Sequence, residues 1–133
     1  MTLLILGEYH VNAEAFAQAM FAAESDIRYV AIVDSRYNLL LSKQREGKPS
    51  LTSEETTRNF MSIIPPIIFE SVEKLSPFLG KVDGITAHYE KVLVMFYRVR
   101  DLLVVMSFEH DQPTPFYDRV TKSFSKFCSQ YLT

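Results

Sequence analysis

A chain of 133 residues is long enough for one domain around one core, and 47% hydrophobic with 23% charged residues argues against disorder. The net charge of −2 gives no general attraction to phosphate backbones or anionic lipid, so neither nucleic-acid binding nor membrane insertion is expected. The single Cys128 excludes an internal disulfide and a cysteine metal cluster, which fits a reducing, cytoplasmic setting.

The first segment, Leu3-Leu4-Ile5-Leu6, is apolar but ends at Glu8, and no Lys or Arg precedes Arg28. It is too short for a span of ~20 residues and lacks a basic flank, so it is read as an extension over 1–11 that docks on the core or on a partner. Ala13, Phe16, Ala17, Met20 and Phe21 then recur at helical spacing, with Glu14 and Glu24 on an acidic back; Asn12 can cap this helix, or it begins nearer Thr2 with Gly7 tolerated inside. Residues 27–34 are rich in β-branched side chains and read as a strand, turned by Ser35-Arg36-Tyr37-Asn38 into a returning strand over 39–42. The polar stretch 43–50, with Gly47 and Pro49, reads as an exposed loop.

Thr52 and Glu55 have the spacing of a capping box for a second helix, whose stripe is Phe60, Ile63, Ile64, Ile67, Ile68, Val72 and Leu75. Pro65-Pro66 interrupts that stripe, at ~3 kcal/mol for each proline in a helix interior, so a kink or two short helices are expected there. Gly80 suits the C-terminal cap of the second segment. Residues 85–90, 92–99 and 102–109 read as three consecutive antiparallel strands. Continuous apolar runs over 93–96 and 102–106 imply strands covered on both faces. Thr114-Pro115 opens a last helix with the stripe Phe116, Val120, Phe124, Phe127 and Tyr131. The order helix, two strands, helix, three strands, helix predicts an α+β domain in three layers around a five-stranded antiparallel sheet.

That order resembles the roadblock (dynein light chain) superfamily within the profilin-like architecture. More narrowly, Ile27-Arg28-Tyr29-Val30-Ala31-Ile32-Val33-Asp34, Arg45-Glu46-Gly47 and Tyr89-Glu90-Lys91-Val92 are similar to segments of small archaeal roadblock-like proteins. The resemblance covers roughly residues 12 to 131. It implies a single domain over 1–133, with the middle helix on one sheet face and the terminal helices on the other. It further implies dimerisation and a role as scaffold or regulator of small GTPases. It supplies no catalytic residue, and Pro65-Pro66 falls within the helix such dimers often use.

Three histidines lie close to acids: Glu8 with His10, His88 with Glu90, and His110 between Glu109 and Asp111. Ligands or acid–base partners must converge, and these pairs fall on separate elements without an HxxxH or HExxH spacing, so they read as structural or solvated groups. Cys128 sits among aromatics with no base on its face and reads as a buried, inert thiol. No metal, cofactor or enzymatic activity is expected. Residues 28–48 carry five bases against two acids, and Arg98 and Arg100 add more; with a lone glycine there is no phosphate cradle. The candidate interaction surface is therefore apolar and basic: Leu3, Leu4, Ile5, Ile63, Ile64, Ile67 and Ile68 with Arg28, Arg45 and Arg98. The doubled isoleucines exceed what one helix face can bury, and surplus apolar surface marks an interface, most simply a homodimer. The alternative is a PAS-like small-molecule sensor, with Tyr29, Tyr89 and Tyr97 as candidates to line a ligand cavity.

Overall fold

A computed structural model describes residues 4–6, 9–110 and 116–132, the segments before Asn12 as backbone. It begins with a hairpin of β1 (Leu4–Leu6) and β2 (Tyr9–Val11), paired antiparallel. The sequence reading had no strands here. Each run is three residues long, too short for periodicity to register. Leu3 lies outside the described residues, as do Thr114 and Pro115.

Helix α1 (Ala13–Ala23) starts where expected, with the Asn12 side chain accepting from the Ala15 amide at 3.2 Å. Its stripe of Ala13, Phe16, Ala17 and Met20 is buried. Strand β3 (Ile27–Val33) turns back into β4 (Leu39–Gln44), which runs two residues further than the sequence suggests. Lys43 and Gln44 pair with Val30 and Tyr29, because ladder hydrogen bonds extend a strand irrespective of side-chain polarity. The loop beyond turns through Gly47 at φ 82°, a left-handed conformation that glycine adopts without strain.

Helix α2 (Glu54–Val72) is capped one residue later than predicted. Ser53 Oγ accepts from the Thr56 amide at 3.0 Å, while the Thr52 hydroxyl bonds that of Thr57. Nor does the chain divide at the prolines: one 19-residue helix runs through Pro65 and Pro66. Met61, Pro65 and Phe69, four residues apart, are its buried positions, and their docking on the sheet offsets the missing amide donors. The division comes after Val72, in a 3-10 turn (Glu73–Leu75) and the short α3 (Ser76–Leu79), closed by Gly80 at φ 89°.

Strands β5 (Gly84–His88), β6 (Val92–Val99) and β7 (Leu102–Glu109) follow, then α4 (Phe116–Tyr131). The five-stranded antiparallel sheet has the order β4-β3-β7-β6-β5, so the first and last strands of the main run, β3 and β7, meet at its centre. Alternation then sorts their side chains. Ile32, Met95, Val104 and Met106 point toward α1 and α4, joining Phe16, Phe116 and Val120 in one core. Ala31, Val33, Phe96, Leu103 and Val105 point the other way, meeting Met61 and Phe69 of α2. Residues 102–106 are all buried, as a strand masked on both faces requires.

The two terminal helices are tied through polar groups as well as rings. The Asn12 amide donates to the Tyr131 carbonyl at 2.8 Å, and Phe16 meets Phe124 edge-on at 6.0 Å. At the other end of α1, Glu24 is buried between Arg119 and Ser123 of α4, at 2.7 and 2.9 Å. Its place on a supposed acidic back is thus corrected: it stands past the last helical turn, where the chain bends inward.

Candidate functional site

Once Met61, Pro65 and Phe69 seat α2 on the sheet, the remaining apolar positions are left on its outer side. Ile63 and Ile67, one turn apart, are 54% and 56% exposed, with Ile64 and Ile68 half-buried beside them. Exposed apolar side chains continue through Val72 and Leu75 to Phe78 and Leu79, which stand 83% and 78% exposed on α3. Single exposed apolar residues are ordinary, but six of them along one helix and its extension make an apolar stretch of the sort that proteins seldom leave exposed. Phe78 and Leu79 were missed in the sequence. The Pro77 and Gly80 that flank them were a usable sign of a short projecting turn.

The basic candidates do not join this surface as free charges. Arg28 donates to Glu109 at 3.0 Å and to the Pro49 carbonyl at 2.9 Å. Arg45 donates to the carbonyls of Phe21, Glu24 and Ile27, and its guanidinium lies 5.0 Å from the Phe21 ring centroid. It thereby binds carbonyls at the C-terminal end of α1, at Phe21 and Glu24, and the one that opens β3, at Ile27, where a base suits the negative end of the helix. Arg98 pairs with Glu73 at 2.9 Å and lies over the Phe69 ring, fastening β6 to the end of α2. Leu4 and Ile5 enter only as β1 backbone.

A second feature is a cavity of about 480 Å³ between the N-terminal half of α2 and the sheet. Phe60 and Met61 line it from the helix, Val94, Val105 and Ser107 from the strands, and Leu51 from the preceding loop. Tyr29 and Tyr89 also line it, whereas Tyr97 faces the opposite layer and stacks on Phe124 at 4.2 Å. Tyr29 Oη and Ser42 Oγ lie 2.7 Å apart. Burial pushes the Tyr29 phenol up, against the lowering effects of Ser42 and Arg58.

His88 and Glu90 are exposed, on the last residue of β5 and in the turn beyond, and Glu109 is held by Arg28 and Lys48. The Lys48 hydrogen bond, aided by Arg28, keeps the Glu109 carboxyl below its ordinary range. Asp111 lies outside the described residues. Among the described residues no three His, Cys, Asp or Glu side chains converge as metal ligands. Cys128 is buried, and desolvation pushes its thiol up to about 12, far from the thiolate a nucleophile requires. No described helix is long and apolar enough to cross a membrane.

The sheet order, with α2 on one face and α1 and α4 on the other, defines a roadblock/LC7-like fold. Among solved structures the chain is similar to the gliding protein MglB of Thermus thermophilus, at 12% identity and TM-score 0.65 over 97% of both chains. It is similar to MglB in a tetrameric arrangement, at 13% identity and TM-score 0.65 over 97% of this chain and 96% of that one. A roadblock/LC7 domain from Streptomyces avermitilis matches at 2% identity and TM-score 0.63, over 86% of this chain and 88% of that one. No protein-family model and no curated sequence matches the chain.

Proposed function

We propose that the chain is a non-enzymatic protein-interaction module that dimerises through the outer side of α2 and scaffolds or regulates a protein partner, a small GTPase by analogy with roadblock relatives. The observation that carries this reading is the pair Ile63 and Ile67, more than half exposed on a helix already anchored by three other residues. Fully burying an isoleucine contributes ~1.5–3 kcal/mol, so covering the exposed half contributes about 1 kcal/mol each. An isologous contact uses both residues from each copy and gains about 4 kcal/mol before Val72 and Leu75 are included. The tetrameric arrangement of MglB, a structure of similar fold, supports this reading.

Light scattering across a concentration series tests the proposal. Native protein should have twice the chain mass at micromolar concentration. Ile63→Glu with Ile67→Glu should be monomeric with an unchanged far-ultraviolet spectrum. A native protein that stays monomeric at millimolar concentration, or a double variant that stays dimeric, refutes dimerisation through α2. The partner class is tested by titrating the dimer with nucleotide-loaded small GTPases from the same cell. Failure of all of them to bind removes that part while leaving the dimer intact.

A further inference from the structure

The cavity beneath α2 serves neither the core nor the outward side of the helix, and its chemistry points to an occupant. A volume of about 480 Å³ falls within the roughly 300–1,000 Å³ typical of small-molecule sites, where apolar walls carry a few fixed polar groups. Its walls follow that pattern: Phe60, Met61, Val94 and Val105 are apolar, and Ser107 and Tyr29, whose hydroxyl is hydrogen-bonded to Ser42, stand among them. Leu51, in the loop at the edge, is 54% exposed, an apolar side chain without cover beside an apolar space.

The charges in and beside the lining are uneven, because Arg28 and Lys48 share the carboxylate of Glu109, at 3.0 and 2.9 Å. Arg28 is committed to Glu109 and Pro49, leaving Lys91 and Glu90 as the other charged lining groups. Lys91 is exposed and has no hydrogen bond or ion pair among the described residues. Arg58, which acts on the Tyr29 hydroxyl through its charge, is paired with Glu54 at 3.4 Å. We propose that this cavity binds a small amphipathic monoanion, its apolar chain or ring lying against Phe60, Met61 and Val105 and its carboxylate beside Lys91. Occupancy would cover Leu51 and give Lys91 a counter-charge.

Three probes with one ten-carbon chain separate the parts of the proposal: decanoate, decanol and decyltrimethylammonium, each titrated calorimetrically and followed by amide shifts. Decanoate should bind one to one, more tightly than the other two, and shift the amides of Tyr29, Val94 and Ser107. Ser107→Phe, which places a ring in the cavity from β7, should weaken decanoate at least tenfold. Thr57→Phe repeats the test from α2 if the strand variant does not fold. Lys91→Glu should weaken decanoate about threefold or more while leaving decanol unchanged. The site is refuted by the absence of saturable binding, or by shifts confined to Phe78 and Leu79. Decanoate affinity undiminished in a folded filling variant refutes it equally. Equal or tighter binding of decanol or of the cation overturns the assigned charge.

Discussion

Glu24→Ala tests the tie between α1 and α4, because this carboxylate is 3% exposed and spends both oxygens on α4. Its Oε1 accepts from Arg119 Nε at 2.7 Å and its Oε2 from Ser123 Oγ at 2.9 Å. A hydrogen bond to a charged group contributes ~1.5–3 kcal/mol and breaking a buried ion pair costs ~3–5 kcal/mol. The Arg119 side chain is 48% exposed, however, and regains water once its partner is gone. The lower end therefore applies, about 2–3 kcal/mol, or roughly a 10 °C fall in Tm for a domain of this size. Urea unfolding followed by circular dichroism should show the midpoint drop at constant m. Arg119→Ala should cost at least as much, since it strands a buried carboxylate, and the double variant should cost less than the sum of the two. A loss under about 0.5 kcal/mol for Glu24→Ala, or a strictly additive cycle, would show that the contact does not hold the helices together.

Pro66→Ala restores an amide donor for the Ser62 carbonyl within α2, and should stabilise the protein by about 1–2 kcal/mol after the added freedom of the unfolded chain is subtracted. Calorimetric Tm checks it. Phe69→Ala removes a fully buried ring that also lies under Arg98, and should cost about 3–5 kcal/mol in the same urea assay. For Cys128 and Tyr97, burial raises the folded pKa from 9.0 and 10.0 to about 12 in each case. The unfolded chain then releases these protons first, so stability should be full below pH ~9 and fall as pH rises from there to ~12. Cys128→Ala should flatten the lower part of that decline, measured as unfolding midpoints across the pH series. In the native state at pH 8, Cys128 should react with a disulfide reagent far more slowly than in urea.

How far the sequence carried depends on whether a feature is local. The Asn12 cap, the strands at 92–99 and 102–109 and the Gly80 cap rest on short-range rules of dihedral preference and periodicity, and all occur as read. The Ser53 cap went unread because Ser53 and Thr52 offer the same hydroxyl chemistry, and only the chain path selects one. Pro65-Pro66 shows the opposite failure, a correct local cost overruled by burial on the sheet. In the candidate surface, the isoleucine stripe was legible in α2, but its division into anchored and exposed members was not. Arg28, Arg45 and Arg98 looked like a basic patch because charge in a sequence carries no record of its partner.

By itself the sequence determined the types of the main elements from α1 onward and the two-sided burial of the central strands. Apolar spacing specifies a helix face or a strand face before anything packs against it. Tertiary structure alone decided that β3 and β7 lie side by side, since that pairing joins residues 70 or more positions apart. The same docking turned Glu24 inward, left Ile63 and Ile67 outside, and opened a space beneath α2 that no local rule encodes. Contacts between distant segments are set by which surfaces exclude water together, and that choice is made by the whole chain at once.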